Sequence, residues 1–101
     1  MTEFTIGLTE DAIAELNEVP IFDRRRILAA IEQQLRHQPT NATRNRKSLT
    51  GLRPPWEGRD PTWELRIAPW RVFYDVDESV HRVDVRAIRL KRPHEVTEQI
   101  L

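Results

Sequence analysis

Apolar positions along this chain follow two different rhythms. FTIGL, residues 4–8, is a short apolar run that predicts a first strand. Ala12, Ile13, Leu16 and Val19 then recur at three- to four-residue spacing, one buried helix stripe, with Thr9 as cap and Glu10 and Asp11 in the first turn. Ile27, Leu28, Ile31 and Leu35 repeat that period in a second helix, which starts at Pro20 or is capped by Asp23 and ends before Pro39. From Thr62 the period falls to two. Trp63, Leu65 and Ile67 share one face of a strand, and Thr62, Glu64, Arg66 and Ala68 share the other. After Pro69, Val72, Tyr74 and Val76 alternate with Arg71, Phe73 and Asp75. A turn at Asp77–Ser79 leads to a third strand in which Val83, Val85 and Ala87 alternate with Arg82, Asp84, Arg86 and Ile88. RPHEVTEQIL, residues 92–101, predicts a short terminal helix with Pro93 near its start.

Strand, two helices and a three-stranded meander make an α+β fold, with both helices packed on one face of an antiparallel sheet. The second sheet face is then expected to be open. It carries Glu64, Arg66, Arg71, Phe73, Asp75, Asp84 and Arg86, a mixed-charge floor in which Phe73 is the aromatic free to stack.

Residues 38–61 hold four of the seven prolines and two of the three glycines, which predicts a loop with at most a helical turn or two. The loop mixes Arg44, Arg46, Lys47, Arg53 and Arg59 with Trp56, a combination suited to a phosphate backbone and a stacked base. An equal alternative is a polar tether pinned to the core by Leu49, Leu52 and Trp56.

Length and charge narrow the choice of function. At 101 residues the chain is expected to form one domain, residues 1–101. It has no cysteine, so thiolate chemistry and disulfides are excluded, and three scattered histidines make a metal centre or other cofactor unpromising. An acidic amino terminus and the lack of a long apolar run lead us to expect a cytoplasmic protein with no membrane partner. The net charge is zero, yet residues 1–43 carry four bases against seven acids and residues 44–92 carry twelve against seven. Positive charge therefore concentrates where the strands are, a pointer to a polyanionic ligand.

KSLTGL at 47–52, WELRI at 63–67, WRVFYDVDE at 70–78 and VRAIRLKRPHE at 85–95 together resemble the RelE/ParE superfamily of type II toxin-antitoxin toxins. The resemblance spans nearly the whole chain. It implies a RelE-like fold and a toxin held inactive by a cognate antitoxin. RelE-like members cleave messenger RNA on the ribosome without metal, so ribosome and mRNA are the partners in that case; ParE-like members poison DNA gyrase, and a member that only binds antitoxin is a further alternative. On the RelE-like reading, a ribose 2′-hydroxyl attacks the adjacent phosphate, which calls for cationic donors and a proton-transfer group. The resemblance assigns Arg71, which opens the central strand, to phosphate stabilisation, with Arg66 one strand earlier; Glu64 falls at a position that is basic in some members, and its carboxylate offers a general base or a cross-strand ion pair with Arg71. It also implies His94 as general acid, since Thr97 stands where many RelE-like nucleases have a tyrosine. Lys47, Arg46, Phe73, Arg86, Lys91 and Arg92 complete the expected substrate contacts.

Overall fold

The computed structural model describes residues 3–101. Its elements run β1 (Thr5–Leu8), α1 (Glu10–Glu18), α2 (Ile21–Leu35), β2 (Arg46–Ser48), β3 (Trp63–Ile67), β4 (Trp70–Asp77), β5 (Arg82–Leu90) and α3 (Thr97–Ile100). They build a five-stranded sheet of order β1-β5-β4-β3-β2. The expected helices and meander are all present.

Two features of the sheet differ from expectation. First, β1 lies parallel to β5, Thr5 beside Arg82 through Leu8 beside Val85, so the sheet is mixed rather than wholly antiparallel. Gly7 fits this close pairing, because a Cβ there would come 2.5 Å from the Arg82 guanidinium, which is turned to Asp84. Where β1 ends, the Glu15 carboxylate of α1 accepts from the Ile88 N–H, occupying a donor that no strand neighbour reaches. Second, the proline-rich segment contains β2, which pairs antiparallel with β3 through Arg46–Leu65, Lys47–Glu64 and Ser48–Trp63. A three-residue strand without an apolar alternation leaves no periodic signal.

Thr9 caps α1 as expected, its hydroxyl accepting from the Ala12 N–H at 3.2 Å. Arg24, in the first turn of α2, donates to the Asn17 and Val19 carbonyls at 3.0 and 3.1 Å. It thus satisfies the C-terminal end of α1, which is a favourable place for a cation. Ala12, Leu16, Val19, Ile27, Ile31 and Leu35 are buried between the helices and the Trp63, Leu65, Val72, Tyr74, Val83 and Val85 face of the sheet. Ile13 and Leu28, expected in that stripe, are 47% and 43% exposed. They sit on the margin of an apolar arc that Ala12 and Ile27 centre.

A β-bulge explains another departure. Phe73 pairs with Ala87 but Tyr74 pairs with Val85, so Arg86 is an extra residue in β5. The insertion reverses the alternation beyond it. Ile88 consequently enters the main core, and Ala87 turns to the second face beside Phe73.

That second face is not open along its whole width. Leu49, Phe73, Ala87 and Ile100 form a second buried cluster, with Leu52, Trp56 and Leu101 packed against it. Leu49, Leu52 and Trp56 thus pin the proline-rich segment to the sheet, as the tether reading expects. The terminal helix is shorter than predicted, residues 97–100, and Ile100 anchors it in this cluster. Among the described residues, no helix is long and apolar enough to cross a membrane.

Candidate functional site

The segment that covers the second face leaves a cavity of about 120 Å³ over β2, β3 and the start of β4. Its lining is Arg44, Asn45, Lys47, Glu64, Arg66, Arg71, Lys91 and Thr97. Each position follows from local structure. Lys47, Glu64, Arg66 and Arg71 point away from the helices because their strand neighbours Arg46, Leu65 and Val72 face the helix side. Lys91 follows the end of β5, where its N–H donates to the Pro69 carbonyl. Thr97 opens α3.

Arg66 and Arg71 are direct cross-strand partners on the antiparallel β3–β4 pair. Like charges in that relation repel. Glu64 is the only carboxylate in the lining, and its side chain is 4% exposed. Its Oε1 lies 3.4 Å from the Lys47 Nζ, and its Oε2 lies 3.7 Å from the Arg71 Nε. The Thr97 hydroxyl donates to the same Oε2 at 3.1 Å. Burial pushes the Arg71 pKa below its ordinary value; Glu64 opposes that shift and Arg66 adds to it. The guanidinium nevertheless stays charged at any physiological pH. Five cations around one carboxylate leave an uncompensated positive site that a tetrahedral oxyanion can neutralise.

Of the expected residues, the structure brings together Arg71, Arg66, Glu64, Lys47 and Lys91. Others lie elsewhere. Phe73 is fully buried under Leu49 and Trp56, so it offers no stacking face. Arg46 shares the helix-side face with Leu65, where its guanidinium donates to the Gln34 and Asn41 carbonyls. Arg86, displaced by the bulge, is bound to the buried Asp75 at 2.7 Å. His94 is exposed in a left-handed conformation, φ 74°, outside the cavity lining, as is Arg92, whose N–H donates to Glu95. Among the described residues, no cluster of three His, Asp or Glu side chains is arranged to hold a metal ion.

Arg44, one of the basic residues the sequence marked in the proline-rich segment, lies at the cavity rim, and sequence reasoning missed Asn45 beside it, which carries no pattern until β2 places it there. It also missed the clamp beside the site. Arg59 donates to Asp75 and Asp84, both at 2.8 Å, and lies 3.5 Å from Asp77. Its hydrogen bonds to Asp84 and then to Asp75 raise the Arg59 pKa. Opposite charges fifteen or more residues apart gave no local signal for this pairing.

A family model described as the ParE toxin of type II toxin-antitoxin systems, parDE, matches residues 6–92. The chain belongs to this toxin family. Solved structures similar to this toxin carry the RelE fold. The RelBE2 toxin-antitoxin complex from Mycobacterium tuberculosis matches with TM-score 0.69 and 21% identity, over 90% of this chain and 100% of that one. The archaeal RelE-RelB complex from Pyrococcus horikoshii gives 0.69 and 18%, over 94% and 100%. The isolated Escherichia coli RelE toxin gives 0.65 and 14%, over 95% and 93%. No curated protein matches the chain.

Proposed function

We propose that this toxin is an endoribonuclease that cuts messenger RNA on the ribosome and is neutralised by a cognate antitoxin. The observation that carries the reading is Arg66 facing Arg71 across β3–β4 in a cavity with a single carboxylate. Cations set against one another in this way are disfavoured unless a polyanion occupies the site. In the proposed reaction Glu64 takes the proton of a ribose 2′-hydroxyl, and the 2′ oxygen bonds to the adjacent phosphorus. Arg66 and Arg71 stabilise the charge that grows on the non-bridging oxygens. The phosphorus bond to the 5′ oxygen then breaks, and that oxygen takes a proton from the ammonium of Lys47 or Lys91. The products are a 2′,3′-cyclic phosphate and a 5′-hydroxyl. His94, outside the lining, has no part in this scheme. The structural neighbours that are toxin-antitoxin complexes support a protein antitoxin as partner.

The test is to incubate the purified toxin with ribosomes carrying a defined messenger and to map new RNA ends. Cuts within the reading frame that vanish in Arg71→Ala support the proposal; an intact messenger overturns it. The match to ParE toxins favours a second reading, inhibition of DNA gyrase through binding contacts. Loss of gyrase supercoiling activity with RNA left intact would select it.

A further inference from the structure

The cavity and the whereabouts of the aromatic side chains together restrict what the site reads. We propose that the pocket grips the sugar-phosphate backbone of single-stranded RNA without regard to base identity. This rests on the endoribonuclease reading and specifies its substrate.

Sequence-specific recognition of single-stranded RNA works by splaying bases onto aromatic or guanidinium planes and by hydrogen-bonding their edges. Here every aromatic residue is committed elsewhere. The chain has three Trp, one Tyr and three Phe. Trp63 and Tyr74 are buried in the main core, with Trp70 packed against it. Phe73 is enclosed and Trp56 leans on it, ring centroids 6.0 Å apart. Phe4 is buried edge-on to His81. Phe22 is 73% exposed, but on α2, which covers the opposite sheet face. No aromatic lines the cavity.

Size points the same way. At about 120 Å³ the cavity is well below the roughly 300 Å³ at which sites that enclose an organic ligand begin, so it suits a phosphate group rather than a nucleoside. Its cations neutralise backbone charge, and the contacts they make to phosphate carry no sequence information. Asn45 is the one neutral amide at the rim, His94 the one exposed ring within three residues of the lining, and Arg44 a guanidinium plane at the rim, so these three are where a base preference would have to arise.

The experiment measures binding, not cleavage, by fluorescence polarisation at low salt. The probes are equal-length 2′-O-methyl oligomers of uridine, adenosine and cytidine, which lack the attacking hydroxyl, and an abasic ribose-phosphate oligomer of the same charge. We expect the four dissociation constants to agree within about threefold, because phosphate contacts dominate and no base is stacked. Arg66→Ala is expected to weaken all four equally. A stacked base would instead make the abasic oligomer bind about 5- to 150-fold more weakly, which would overturn the inference while leaving the nuclease reading intact. A preference above tenfold for one base would overturn it in the same way, and the variant that abolishes the preference, among Asn45→Ala, His94→Ala and Arg44→Ala, would name the reader. If none of the four binds, the pocket does not grip the backbone of RNA and the inference falls, while the nuclease reading stands or falls on the ribosome cleavage assay.

Discussion

Arg66 and Arg71 occupy facing positions on adjacent strands, and Glu64 is the only carboxylate of the cavity beside them. A sheet selected for stability alone places opposite charges in that relation, since like charges directly across cost part of the roughly 0.2–1 kcal/mol that a good pair contributes. Arg66→Ala is therefore expected to leave the folded state unchanged or more stable by a few tenths of a kcal/mol, to be read from urea midpoints. RNA cleavage by the same variant is expected to fall by about a hundredfold to a thousandfold, the usual effect of removing one donor to a developing oxyanion. A variant that lost stability and kept its activity would show Arg66 to be an ordinary surface residue.

Glu64 is expected to behave in the opposite sense. Its nearly buried carboxylate holds Lys47, Arg71 and the Thr97 hydroxyl. Glu64→Gln keeps the shape but leaves the partly buried Arg71 without its counter-charge, a loss of about 1–3 kcal/mol. Thermal unfolding measures it, and each kcal/mol should lower Tm by about 4–8 °C in a chain of this size. Cleavage should fall as well, because the amide cannot take a proton. Thr97→Val, which removes only the hydroxyl, should cost about 0.5–1.5 kcal/mol.

The alternation in WELRI and WRVFYDV was enough to predict the β3–β4 hairpin, its core face and the outward direction of Glu64, Arg66 and Arg71. The two helices were legible for the same reason, since burial imposes a period on apolar residues. What the pattern could not reveal was which part of the outward face stays accessible. Phe73 and Arg71 are both outward on β4, but Leu49, Trp56 and Ile100 close over Phe73 and leave a cavity beside Arg71. That difference depends on contacts between segments far apart in sequence. The bulge at Arg86 had the same character: one inserted residue sends Ala87 and Ile88 to the faces opposite to those their alternation implies.

The Arg59 clamp should make stability depend on acid pH. Burial by itself would raise the Asp84 pKa, but hydrogen bonds from Arg59 and Arg82 outweigh it and hold the carboxyl below its ordinary value. A carboxyl lowered in the folded state contributes stability that is fully present above its unfolded pKa, about 3.9, and is lost as pH falls through the folded pKa. Urea midpoints of the wild-type protein should thus fall as pH drops below about 4. Arg59→Ala should be the less stable protein at pH 7, and the gap between the two should narrow through that acid window. A gap independent of pH would mean that Arg59 acts through packing and not through its charge.

Gly58 tests how the covering segment is held down. A Cβ at this position would come 2.5 Å from the Asp75 Oδ2. That oxygen cannot readily withdraw, because Asp75 is 1% exposed and is fixed by Arg86 at 2.7 Å and Arg59 at 2.8 Å. Gly58→Ala must therefore lift the segment or break the ion pairs, at a cost of about 1–3 kcal/mol, the range for forcing extra atoms into a filled site. The segment carries Trp56, whose ring rests on Phe73, so its fluorescence should shift to longer wavelength as it meets water. The cavity around Arg66 and Arg71 takes Arg44, Asn45 and Lys47 from the β2 end of this segment but neither Trp56 nor Gly58, so phosphate binding should be retained. Loss of binding together with the Trp56 shift would show that the part of the segment around Trp56 and Gly58 also shapes the cationic pocket.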